Sequence, residues 1–279
     1  MKTNHKHHVI SLIFFIITLV IWQILSSFPK VEFFFGSPML IYESIIQNLN
    51  LLLADSLITA LETIIGFVIG ATLGTSSGFL LWYSPFIATT TKPFILIAST
   101  IPAFALAPII ILWFGIGLTM KIILAAFGVY LITLTQSYEG AKTISKNIHQ
   151  SMTIFGASRS QILHKAIFPA SISWVISSMK LSVGIALLGA FIGEFISANQ
   201  GLGYFILKAG SLYNIPAVFA GALFLIILSI FMNYLVSLME KHKFAFIKTL
   251  TVNRQIQQNS PTKKECLSIL WHQSSGDWI

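Results

Sequence analysis

The chain has 279 residues, 55% of them hydrophobic and only 9% charged, where a soluble domain averages about 25% charged. With a mean hydropathy of +0.82, the composition excludes an ordinary soluble fold and indicates an all-α integral membrane protein. The formal net charge of +8 does not point to nucleic acid, because Lys and Arg of membrane proteins collect on cytoplasmic loops. The single cysteine, Cys266, excludes an intramolecular disulfide framework and an all-Cys metal site.

Taken in order, the apolar runs predict six transmembrane helices. Residues 1–8 form a cytoplasmic N-terminus carrying Lys2 and Lys6. Residues 9–28 are uncharged and about one bilayer crossing long. No A-x-A cleavage site follows, and Trp22 and Gln23 interrupt the apolar run, so an uncleaved first span is expected rather than a signal peptide. Residues 29–55 read as a connector holding an interfacial helix. Its Glu32, Glu43 and Asp55 outweigh Lys30, which suits the outer side. The second span covers 57–82. Gly66, Gly70, Gly74 and Gly78 recur every four residues in it, a ridge that lets another helix approach closely in lipid, within the chain or between subunits. The alternative is a substrate-lining face. Glu62 lies in this span, either as an intramembrane functional group or within reach of the outer interface.

After a short inner loop, 83–92, the third span covers 94–114. Pro102 and Pro108 predict a kinked or broken helix there. Lys121 leads into the fourth span, 122–138. The loop 139–169 carries Lys142, Lys146, Arg159 and Lys165 against Glu139, so it is expected in the cytoplasm. Within it, Ile148, Met152 and Phe155 share one face of a short helix. Gly156 stands where a helix stop is expected. Ser158 and Gln161 form a capping box that starts a second helix. Ile162, Leu163, Ala166 and Ile167 give that helix an apolar face, and Pro169 limits its continuation. The fifth span covers 172–196, with Gly184, Gly189 and Gly193 as a packing face, Lys180 near its inner third and Glu194 near its outer end. Residues 202–213 read as an outer connector or shallow re-entrant helix, and 216–238 as the sixth span. The remainder, 241–279, is a basic cytoplasmic tail in which Trp271 and Trp278 have surface-seeking character. The membrane domain is therefore 9–240, with both termini cytoplasmic. No G-x-x-x-x-G-K-[ST] occurs, so the chain should not hydrolyse ATP. No cluster of His, Cys and Asp suggests a metal or a catalytic set.

The two-helix segment resembles the cytoplasmic coupling loop of bacterial ABC importer permeases, whose pattern is E-A-A, three residues, Gly, nine residues, then I-x-L-P. Gly156 and Pro169 stand at the matching separation, with Ala166 and Phe168 in the Ile and Leu places. Gln150, Ser151 and Met152 occupy the opening triplet. The runs Ile101-Pro102-Ala103, Leu106-Ala107-Pro108 and Trp113-Phe114-Gly115-Ile116-Gly117 resemble permeases of the nitrate, sulfonate and taurine importer group. So do Gly193-Glu194-Phe195 and Asn199-Gln200-Gly201-Leu202-Gly203-Tyr204.

The resemblance covers most of 36–240. It implies a permease subunit in the bacterial inner membrane, paired with a second copy or a related chain. A separate ABC ATPase would bind the cytoplasmic side and a solute-binding protein the outside. No cofactor is expected on this chain; ATP belongs to the partner. The resemblance places the ATPase contact at Gln150, Phe155, Gly156, Ala157, Ser158 and Pro169, and candidate pathway or gating roles at Glu62, Pro102, Pro108 and Glu194. For Glu194 the alternative is a plain position at the outer interface. The substrate would be a sulfonate- or nitrate-like anion or a vitamin precursor. Many anion permeases of the group carry Arg where this chain has Glu62, and an acidic residue there argues against a strictly anionic substrate. Two other readings are an ATP-independent secondary transporter or channel, and a membrane-embedded enzyme. The first needs an ion site and the second a catalytic cluster, and neither is evident in the spans.

Overall fold

The computed structural model describes residues 3–144, 146–197 and 199–258, and every regular element among them is helical. Helices α1 (Thr3–Leu25) and α2 (Pro29–Phe35) lead into α3 (Pro38–Tyr83), which runs for 46 residues. Ser37 caps its start by accepting from the Leu40 backbone N–H at 3.2 Å, and Pro38 occupies the first turn, where its missing N–H costs nothing. No Gly or Pro interrupts the chain between Pro38 and Gly66. Most of the expected 29–55 connector is therefore the same helix as the second span. At about 1.5 Å per residue, α3 is roughly twice the thickness of a hydrocarbon core.

The inner loop expected at 83–92 shrinks to one residue. Ser84 ends α3 through its N–H to the Leu80 carbonyl (3.0 Å), and it also caps α4 (Pro85–Thr100). The chain breaks at Ile101-Pro102, makes a 3-10 turn over Ala103–Leu106, and resumes as α5 (Ala107–Phe114), with Pro108 in its first turn. Helix α6 (Leu118–Lys142) follows. Then come α7 (Lys146–Ile154), α8 (Arg159–Ile162), a π-helical turn Leu163–Ile167, α9 (Phe168–Ser197), α10 (Leu202–Ser211) and α11 (Ile215–Gln258). The expected stop at Pro169 does not occur: 159–196 is continuous helix. The π turn shifts the hydrogen-bond pattern just ahead of the proline, with the Phe168 N–H reaching back to the Leu163 carbonyl. Such a turn is one way a helix accommodates a residue with no N–H of its own.

Four described helical stretches are long and apolar enough to cross a membrane: 38–83, 118–142, 159–196 and 215–238. The expected first span has a shorter apolar stretch, Val9–Leu25, and the expected third is broken at Pro102. The chain divides into two units, 1–233 and 234–279. The described part of the second is the end of α11. Trp271, Trp278 and the rest of 259–279 lie outside the described residues.

The glycine ridge of α3 lies against α6 within the same chain. A methyl added at Gly66, Gly70, Gly74 or Gly78 would come within 3.0 Å of α6 atoms, the nearest side chains being Ala125, Val129, Thr133 and Ser137 respectively. Each pair has the 59-residue separation of Glu62 and Lys121, so the two helices run parallel in one register. Helix α9 runs the other way along α6: Trp174 meets Gly140, Ile185 meets Gly128, Gly189 meets Ala125 and Gly193 meets Lys121. Small residues let these backbones approach closely where lipid supplies no hydrophobic drive for helix association. Gly184, expected on the same packing face, has nothing near it in this chain.

Replacing Gly70 by Leu should lower stability by at least about 1–3 kcal/mol through overpacking. Gly184→Ala should be neutral or stabilising by up to about 1 kcal/mol. Thermal unfolding of the purified variants in detergent checks both, and equal melting temperatures for the two would refute this packing.

Candidate functional site

Three features sit on the α3–α6–α9 unit: a buried polar cluster at one end, an exposed turn at the other, and a cleft between them. The cluster starts from α3, where Asp55, Thr59 and Glu62 fall on the same stripe as the glycines. Lys121 of α6 donates to Glu62 Oε1 at 2.6 Å, with side chains only 5% and 1% exposed. Glu194 of α9 is fully buried. Its Oε1 accepts from the Thr59 hydroxyl at 2.7 Å and its Oε2 from the Gly203 N–H at 2.7 Å. Asp55 Oδ1 accepts from the Gly201 N–H (2.8 Å), and Thr59 Oγ1 accepts from the Leu202 N–H (3.0 Å).

Three successive N–H groups at the start of α10 are thus satisfied by side chains of two other helices. The positive end of the helix dipole favours the carboxyl groups there. Gly201 has φ +107°, and a side chain on it would collide with the Glu194 carboxyl. Both glutamates singled out in the sequence are therefore interior groups; neither lies at an exposed interface. Sequence reasoning missed Lys121, Asp55 and Thr59. The available signal was the i, i+4, i+7, i+11 spacing of Asp55, Thr59, Glu62 and Gly66.

At the far end, α7 closes in a Schellman turn. The Ala157 N–H reaches the Met152 carbonyl and the Gly156 N–H reaches the Thr153 carbonyl, each at 3.0 Å, with Gly156 at φ +77°. The Ser158 capping box then starts α8: Gln161 Oε1 accepts from the Ser158 N–H at 2.9 Å, and Ser158 Oγ accepts from the Gln161 N–H at 3.3 Å. Met152 and Ala157 pack inward on Phe79, Ala141, Ile162, Ile167 and Val175. Ile154 and Phe155 are instead 82% and 88% exposed. Gln150 and Ser158 are exposed beside them, and Pro169 is exposed farther on, in α9. Arg159 ties the turn to the end of α3 through the Tyr83 carbonyl (3.3 Å).

The cleft, about 300 Å³, lies between the end of α4, the middle of α6 and α9. Pro102 lines it at the helix break; Pro108 does not. Glu62 and Glu194 stay outside it, although Leu124 and Ile192 of its wall stand close in sequence to Lys121 and Glu194.

Residues 66–244 match the family described as the binding-protein-dependent transport system inner membrane component. A probable ABC transporter permease protein of Haemophilus influenzae is 30% identical over 217 residues, 77% of this chain and 88% of that protein. The formylaminopyrimidine transport permease protein ThiX of Halalkalibacterium halodurans is 27% identical over 219 residues, 78% of this chain and 88% of that one. In fold, the chain is similar to a chain of the MetNI methionine ABC transporter in an inward-facing conformation. The TM-score is 0.63 at 18% identity, covering 70% of this chain and 97% of the other.

Lys121→Met should destabilise the protein by about 3–5 kcal/mol, because it leaves Glu62 buried without its partner. The double variant Lys121→Met/Glu62→Leu should recover most of that loss. Unfolding of both in detergent tests the pair, and a double variant as unstable as the single one would count against it.

Proposed function

The chain belongs to the binding-protein-dependent transport system inner membrane component family, and from that membership we propose that it crosses the membrane six times and draws its energy from a separate ATPase through the turn at Gly156. As the permease subunit of an ABC importer it is a transport component, which displaces the ATP-independent carrier and enzyme readings.

The six-span reading is supported by the register of α3 and α6. Two parallel helices need an intervening chain that returns from one end to the other, and α4 and α5 supply it despite the break at Pro102. Helix α1 supplies the remaining crossing. The basic loop 139–169 marks its end as cytoplasmic by the positive-inside rule. The polar cluster and α10 then face outward, and both termini lie inside. On this reading 9–240 is the membrane domain and 241–279 a cytoplasmic tail.

The observation that carries the coupling role is the exposure of Ile154 and Phe155 on a turn held by its Schellman closure, the Ser158 capping box and the inward-packed Met152 and Ala157. Large apolar side chains held rigidly in the open fit the cleft of a partner protein. Movement of the docked turn would pass through Arg159 and the π turn into α9, and through the loop's other end into α6. Alternating access would follow from that motion in a pair of permease subunits, either two copies of this chain or a related heterodimer. A solute-binding protein would deliver substrate on the outer side.

Phe155→Ala and Gly156→Pro should each abolish ATP-dependent uptake in proteoliposomes while the protein still inserts and, for Phe155→Ala, melts as the unaltered chain does. Normal uptake by either variant would overturn the coupling role. With Cys266 replaced by Ser, a cysteine placed at Gln200 should react with an impermeant thiol reagent from outside. One placed at Phe155 should react only after the membrane is opened, and the reverse pattern would sink the topology.

A further inference from the structure

The cleft has a chemical character that narrows what can pass through it, granted that the chain is a permease. Among the described residues, none of its lining side chains is ionisable. The polar side-chain groups among these described residues are the hydroxyls of Ser99 and Thr135. Each hydroxyl has one hydrogen. Ser99 Oγ donates its hydrogen to the Leu96 carbonyl at 2.8 Å. Thr135 Oγ1 lies 2.9 Å from the Leu131 carbonyl and 3.0 Å from that of Ile132. With both hydrogens held by their own helices, the two oxygens offer the cleft lone pairs and no donor. The rest of the wall is aliphatic, chiefly Leu124, Leu131, Ile185 and Leu188.

Among the described residues that line the cleft, none carries a positive charge. Lys121, one turn beyond Leu124, is buried and bonded to Glu62, and Asp55 and Glu194 share its cluster. An anion in the cleft would lose water and find neither a cation nor a free side-chain donor among the described lining residues to replace it, which is costly in a low-dielectric site. A neutral solute with its own donors loses little, because the two acceptors can receive them.

We infer that this cleft receives an uncharged, largely apolar solute whose polar edge donates hydrogen bonds, the chemistry of an amino- or amide-bearing heterocycle, and that it excludes small anions such as sulfonates.

The test uses the full chain assembled with its ATPase in lipid nanodiscs, with formylaminopyrimidine as the uncharged probe and ethanesulfonate as the anionic one, both followed by titration calorimetry. Formylaminopyrimidine should bind, and Thr135→Val, which keeps the shape and removes the acceptor, should weaken it roughly 2- to 10-fold, the worth of one net hydrogen bond. Ethanesulfonate should bind only after Leu131→Lys puts a cation in the wall. Binding of ethanesulfonate to the unaltered complex overturns the inference. So does binding of neither probe, the result expected if lipid or a second copy of the chain fills the cleft. The permease reading is judged separately: ATP-dependent ethanesulfonate uptake would sink the substrate class alone, whereas normal transport by the Phe155 and Gly156 variants would sink the coupling role and leave the binding result standing.

Discussion

A lysine and a glutamate buried together in a membrane protein constrain everything around them. Lys121 and Glu62 are tolerated because the ammonium of one meets Oε1 of the other at 2.6 Å, pairing the two charges. They can do so only if α3 and α6 lie in one register. The four glycines of α3 then fall opposite Ala125, Val129, Thr133 and Ser137, which sets how closely the backbones approach. The same polar centre extends to α9 and α10, since Thr59 bonds Glu194 and the two carboxyl groups of Asp55 and Glu194 hold the first N–H groups of α10. Apolar packing alone would allow these helices to slide in lipid. Paired polar groups remove that freedom, because any other register leaves a buried charge or N–H unmet.

The unit built this way has two different ends. From Lys121 to Lys142, α6 rises roughly 30 Å, about the thickness of the hydrocarbon core. One end is closed by the polar cluster; the other carries the turn at Gly156, which is rigid by construction. A Schellman closure, a capping box and two inward-packed side chains leave little freedom, while Ile154 and Phe155 remain open to a partner. On the proposed reading, force applied at the turn reaches the far end because the three helices between them cannot slip. The cleft lies between those two ends, beside the end of α4.

Much of this was legible locally. The stop at Gly156 and the capping box at Ser158 follow from backbone preferences that act over a few residues, and the structure has both. The break near Pro102 follows from the missing N–H of proline. The glycine ridge announced close packing by its spacing. Where local reasoning went astray, a longer-range term had prevailed. Pro169 reads as a terminator, but a π turn ahead of it lets the helix continue. The stretch before residue 55 reads as an outer connector holding a separate interfacial helix, but a chain without Gly or Pro from Met39 to Ile65 stays one helix with the span when Asp55 has buried partners to meet. Lys121 reads as a flanking charge, although it is 4% exposed.

Composition, periodicity and short motifs by themselves determined an all-helical membrane protein, the glycine face, the proline break and the shape of the turn, because each depends on residues within a helix turn or two of one another. Only the tertiary structure decided what the glycines face, that Glu62 belongs to Lys121 and Glu194 to α10, and that the described residues of the cleft wall hold lone pairs without a cation. The glycine contacts and the Lys121–Glu62 pair join residues 59 positions apart, and the Asp55–Gly201 bond in the same cluster joins residues 146 apart. A single sequence carries no record of which distant residue meets which, since any buried carboxylate accepts any donor that the packing brings within reach.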